Sequence, residues 1–269
     1  MKASGLVRGV RTASSARTTR SARNVTTRKR QREAEGSEST AKKRKTGQVK
    51  EEKEQTVVGA DGVRRCRWGS TNWESDELYR SYHDNEWGRE LRSGDQQMFE
   101  LLTLEAFQAG LSWRVVLNKR PGFRKAFADF DIERVARFTE ADVERLMEDS
   151  RIVRNRAKIR AAINNAGCVL ELRRDTGQSL CEYLWTFVSH LTDEQRLRPR
   201  SRCALGTESE ESRTMAAALR ARGMKFLGPV TLYAHMQSVG MLNDHHPDCF
   251  VRSAAPCKPL VLGTNSKQG

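Results

Sequence analysis

Apolar residues recur at helical spacing through most of the chain beyond Arg64. The clearest run, Met98, Phe99, Leu101, Leu102, Leu104 and Phe107, is apolar on most sides and predicts a buried helix over 96–111 with Asp95 as its cap. A short helix over 114–119 should stop ahead of Pro121, because an interior proline lacks an N–H and crowds the preceding turn. Amphipathic pieces over 122–130 and 131–138 follow, and Thr139-Glu140-Ala141-Asp142 predicts the next start as a variant capping box. A long helix over 156–174 should end at Asp175-Thr176-Gly177, and helices over 179–188 and 210–222 come next, the second halted by Gly223. A last helix spans 231–241. No segment alternates as a strand does and no period repeats, so the expected architecture is all-α.

The first sixty residues break this pattern. They hold 16 Lys and Arg against 6 Asp and Glu, within a chain of 269 residues whose formal net charge is +14. With few apolar residues they cannot offset the entropy of ordering, so 1–60 is expected to be a disordered basic arm, 61–255 the folded domain and 256–269 a flexible tail. Arg28-Lys29-Arg30-Gln31-Arg32 and Lys42-Lys43-Arg44-Lys45 look like a bipartite nuclear localisation signal. The lack of any acid before Glu33, with abundant Arg, Ser and Thr, also suits a mitochondrial transit peptide, and a nonspecific phosphate-binding tail is the plainest reading. The expected location is the nucleus, with the mitochondrion as the alternative. No apolar run approaches the roughly 20 residues that span a bilayer, so a soluble intracellular protein without membrane contact is expected. Six cysteines at irregular spacing argue against a disulfide framework, and nothing suggests a coiled coil, so a monomer is expected.

Two groups of residues carry candidate chemistry. On the 96–111 helix, positions 98, 101, 102, 105, 108, 109 and 112 share one stripe, which places Glu105 and Gln108 on an apolar face. A carboxylate there is costly unless something hydrogen-bonds it, so Glu105 is either satisfied by a neighbour or kept for a ligand. Trp68, Tyr79, Tyr82, Trp87 and Trp113 flank it in sequence, and stacking surfaces around one acid suit a flat cationic or amino-bearing heterocycle. The second group is Cys66, His83, His245 and Cys249, a donor set that can close a tetrahedral zinc site and pin the ends of the domain together. The spacing alone leaves ordinary core thiols and histidines open, and His246 and Cys257 stand near enough to substitute.

The motifs Cys66-Arg67-Trp68, Tyr82-His83-Asp84-Asn85-Glu86-Trp87-Gly88, Leu104-Glu105, Gln108-Ala109-Gly110-Leu111-Ser112-Trp113, Lys225-Phe226-Leu227-Gly228 and Asn243-Asp244-His245 with Cys249 occur in this order. From about Arg65 to Cys249 the chain closely resembles the DNA-3-methyladenine glycosylase I family. The resemblance implies a helix-hairpin-helix glycosylase fold and hydrolytic removal of 3-methyladenine from alkylated double-stranded DNA. The products would be the free base and an abasic site, with no strand cleavage. It assigns Glu105 and Tyr82 to catalysis, Trp113 to stacking on the base, and Trp68, Tyr79, Trp87 and Gln108 to the rest of the base pocket. Gly110 and Leu111 would approach the gap left by the flipped nucleotide, and Arg154, Arg156 and Lys158 would bind DNA from the hairpin. Cys66, His83, His245 and Cys249 would hold one structural zinc. Arg151 and Ala157 depart from the pattern, standing where glycines are often found. The competing expectation is a zinc-stabilised, non-catalytic DNA damage-binding module.

Overall fold

The computed structural model describes residues 56–253 other than 69–72, 74 and 198–206. The arm's basic clusters, Cys203, Cys257 and the expected tail lie outside the described residues. Two short strands, β1 (Thr56–Val58) and β2 (Arg64–Cys66), form an antiparallel ribbon with Thr56 opposite Cys66. Eleven helices follow among the described residues: α1 (Glu77–Asn85), α2 (Asp95–Gln108), α3 (Trp113–Ala126), α4 (Ile132–Ala136), α5 (Glu140–Glu148), α6 (Arg156–Thr176), α7 (Leu180–Trp185), α8 (Asp193–Arg196), α9 (Glu210–Ala221), α10 (Pro229–Ser238) and α11 (Phe250–Ser253). The architecture is therefore mostly helical rather than all-α. The ribbon escapes the sequence pattern because three residues cannot show alternation, and β1 falls inside the span assigned to the arm.

The core is built around α2, whose residues from Met98 to Phe107 are all buried, with α3, α6, α7 and α10 packed about it. Glu105 is thus held on the most enclosed helix of the domain. Asp95 does not cap α2; Gly94 precedes that helix at φ 97°, and the Asp95 carboxylate accepts the N–H groups of Leu180 and Cys181 at 2.8 Å, capping α7 instead. Nor does α3 stop before Pro121. The proline ring lies on the exposed side, while Val116, Leu117, Arg120, Phe123 and Ala126 bury the other, so packing overrides the one lost hydrogen bond. The expected starts and stops hold where cap chemistry is complete. Thr139 and Asp142 close a capping box on α5, and α6 ends at Gly177 in the left-handed region.

Candidate functional site

Cys66, His83, His245 and Cys249 converge although 183 positions separate the first from the last. Their ligand atoms all lie within 4.8 Å of one another and all four residues are buried. The Cys249 sulphur is 3.6 Å from His83 Nε2 and 3.5 Å from His245 Nδ1, and the Cys66 sulphur is 3.5 Å from the same Nδ1. The remaining ring nitrogens are occupied: His83 Nδ1 donates to Asp84 at 2.8 Å, and His245 Nε2 donates to the Trp87 carbonyl at 3.0 Å. Asp84 is in turn gripped by Arg65 through contacts of 2.8 to 3.1 Å. Such outer partners fix the tautomer and leave one nitrogen of each ring facing the thiols, the arrangement a divalent ion needs. The contact between the two thiols raises Cys66 and lowers Cys249 relative to an ordinary thiol. Gly88 is required here, because a Cβ on it would come within 2.9 Å of the His245 ring at a φ of 75°. His246 is no alternative ligand. Its side chain faces Asp248, and its backbone N–H donates to Cys66.

Beside this cluster Trp73, Tyr79, Tyr82, Trp87 and Leu117 form a small buried aromatic body against which Trp113 packs. The rings of Tyr82 and Trp113 are 5.3 Å apart, and those of Tyr79 and Tyr82 are 6.5 Å apart. Glu105 is 5 % exposed, and burial pushes its carboxyl up to about 8. No hydrogen bond or ion pair to it is present among the described residues. Its charge would act on Tyr82 and Tyr79, whose phenols are raised chiefly by burial and further by Glu105. The Trp113 indole N–H is also buried without a partner. An unpaired acid and an unpaired donor beside stacked rings leave hydrogen-bonding capacity that water or a polar flat ligand must fill.

Arg120 and Arg124 of α3 are engaged by other carboxylates. Arg120 of α3 gives Nη1 to both Glu86 oxygens at 2.6 and 2.8 Å and Nε to Glu100 at 2.7 Å, and Arg124 takes the Glu100 carboxylate too. This buried network ties α1, α2 and α3 around the aromatic body. Sequence reasoning missed it, as it missed Trp73, which is 1 % exposed and stacks 6.3 Å from Tyr79. Of the other residues expected in the base pocket, Trp87 belongs to the aromatic body and also lies 4.4 Å from the His245 ring, while Trp68, 45 % exposed, packs on Trp87 at 4.6 Å and on Tyr79 at 5.8 Å. Gln108 donates to the Leu111 carbonyl at 2.8 Å, so its amide braces the turn rather than the pocket.

That turn, with Gly110 at φ 84° and Leu111 39 % exposed, projects from the end of α2. Lys158, expected to bind DNA, is instead buried, and its ammonium donates to the carbonyls of Phe107 at 2.9 Å and Ala109 at 2.7 Å. Its pKa is lowered by that burial. Arg156 pairs with Glu144 across the α5–α6 turn, while Arg154 is exposed at the turn itself. Arg151 packs against α3, where Lys119 donates to the Ser150 carbonyl at 2.6 Å, and a basic groove of about 350 Å³ runs between Lys119, Lys125 and Arg151.

Residues 72–252 match the family model described as methyladenine glycosylase. The chain is 40 % identical over 187 residues to DNA-3-methyladenine glycosylase 1 of Escherichia coli, which covers 70 % of this chain and 96 % of that protein. It is 38 % identical over 197 residues to DNA-3-methyladenine glycosylase of Haemophilus influenzae, covering 72 % and 97 %. A solved tyrosine-to-phenylalanine variant of 3-methyladenine DNA glycosylase I, in complex with 3-methyladenine, superposes with a TM-score of 0.60 at 32 % identity over 66 % of this chain and 93 % of that one.

Proposed function

The chain belongs to the methyladenine glycosylase family, and from that premise we propose that it excises 3-methyladenine from alkylated DNA, an entry step of base excision repair. The observation that carries the reading is the Glu105 carboxyl, buried, unpaired and raised to about 8 beside stacked aromatic rings. An N3-methylated adenine in DNA is cationic. Its ring meets an acid that ionises readily only when a cation arrives, whereas a neutral base gives the acid no reason to lose its proton. The methylated base is already a good leaving group, so exposing and holding it supplies most of what catalysis needs. Water adds to the sugar C1′, the C1′–N9 bond breaks, the base leaves neutral and one proton is released. In this reading Glu105 and Tyr82 hold the base edge, and Trp113 and Tyr79 bound its faces.

The α5–α6 unit acts as a helix-hairpin-helix DNA contact through Arg154, with the Gly110–Leu111 turn filling the gap in the duplex. Cys66, His83, His245 and Cys249 hold one zinc ion. Four protein donors close its shell, so it supplies structural cross-linking and leaves the reaction to the pocket. One pocket reading one lesion asks for no second copy of the chain, and the basic arm directs the protein to the nucleus.

Incubation of the full chain with methylated duplex DNA, beside Glu105→Gln, should yield free 3-methyladenine from the wild type and far less from the variant. Lesion binding without any released base would instead identify a damage-binding module.

A further inference from the structure

Four non-glycine residues among those described hold positive φ: Ala128, Asp129, Phe130 and Phe226. The first three form one turn that drives Phe130 fully into the core, so packing offsets its strain. Phe226, at φ 59°, has no such return, because it is 44 % exposed. The loop that holds it is nevertheless built. The Asn165 side chain accepts the Lys225 N–H at 2.8 Å and donates to the Lys225 carbonyl at 3.0 Å, and Asn164 donates to the Gly223 carbonyl at 2.8 Å. A strained aromatic residue is thus held outward by the buried Asn165 amide and the half-buried Asn164 amide.

The position of that loop indicates what it meets. Asn165 follows Lys158 by seven residues on α6, so the two side chains share one face, two turns or roughly 10 Å apart. Lys158 grips the end of α2 that bears Gly110 and Leu111, while Asn165 grips the loop that bears Phe226. One stripe of one helix thus carries two neighbouring loops, each displaying an apolar side chain. Val115, 40 % exposed, follows the first loop and Val230, 54 % exposed, follows the second, with exposed Lys225 beside Phe226. Arg154, at the start of the same helix, adds charge for phosphates.

Resting on the glycosylase reading, we propose that Phe226 is a second apolar contact to the opened DNA duplex, stacking on a base or sugar edge next to the step that Leu111 enters. A duplex with one nucleotide turned out presents unstacked base faces, which a rigid aromatic ring covers. The strained backbone fixes the ring in advance.

The test is Phe226→Gly, since glycine adopts this φ without strain and the fold should be kept or strengthened. Binding of the full chain to a duplex carrying a tetrahydrofuran abasic-site analogue should weaken at least about fivefold, the lower end of aromatic–base stacking. Affinity for free 3-methyladenine and the melting temperature should not fall. Should Phe226→Gly fail to fold, Phe226→Asn, which tolerates the left-handed region, takes its place. Wild-type affinity for the duplex in the variant would overturn the inference, as would a loss of free-base binding. Wild-type protein that neither releases base nor prefers the abasic duplex would defeat the glycosylase reading itself, whereas base release with unaltered variant affinity would defeat only the role of Phe226.

Discussion

Replacing Glu105 by Gln should make the protein more stable at neutral and alkaline pH while removing most of its activity. The folded state holds this carboxyl near 8, against the ordinary 4.5. A group that binds its proton more tightly when folded contributes fully below the unfolded value. That contribution falls as pH rises, and the loss is complete above the folded value. From 4.5 to pH 7 the loss is 2.5 pH units at about 1.36 kcal/mol each, or about 3 kcal/mol, an upper bound because water entering the pocket reduces it. The amide of Gln keeps the shape of the neutral acid and does not titrate. Urea denaturation of wild type and Glu105→Gln at half-unit steps from pH 5 to 9 should give curves that diverge up to about pH 8 and keep a constant gap above it, the variant ahead by a few kcal/mol near pH 8. The metal-type cluster is common to both proteins, so its own pH dependence cancels in the difference. Parallel curves would refute the reasoning, for they would mean that Glu105 has a partner or open water and is ionised at neutral pH.

Three further outcomes are expected. Cys249→Ser should lower zinc content below one equivalent and depress the melting temperature, read by metal analysis and calorimetry on the same sample; a full equivalent in the variant would exclude Cys249 as a ligand. Lys158→Met should cost about 1–3 kcal/mol, because it strands the Phe107 and Ala109 carbonyls, and it should weaken DNA binding without altering its salt dependence, as a strut does and a phosphate contact does not. Gly122→Ala places a Cβ 2.5 Å from the Arg151 carbonyl and should displace the α5–α6 turn, reducing DNA affinity while free-base binding in the pocket persists.

Much of the helical layout could be read from the chain because apolar periodicity and cap chemistry are local: the α5 capping box, the glycine stop of α6 and the apolar run of α2 are each written within one or two turns. The four cysteine and histidine positions stand out as rare residue types, but their spacing leaves ordinary core thiols and histidines open, and it is the resemblance that singles out the set. Long-range partners left no such trace. Asp95 has the form of a cap for α2 and serves α7, and Lys158 has the form of a DNA-facing lysine and serves α2. In both cases the residue type signals a polar need, while only the packing decides whose need is met. Trp73 and the Glu86–Arg120–Glu100 network were hidden likewise, since isolated aromatic and charged residues carry no period.

The convergence of Cys66 and His83 with His245 and Cys249 has a consequence for biogenesis. A ribosome delivers the first pair early and the second only when the domain is almost finished. Until His245 and Cys249 emerge, the earlier thiol and imidazole have no companions, and the Trp87 carbonyl lacks the ring that it orients. A truncated chain that reaches α10 would carry Glu105, Tyr82 and Trp113 yet leave the seam beside them open. Completion of the cluster therefore marks completion of the domain, and chains that stop short of Cys249 cannot form it.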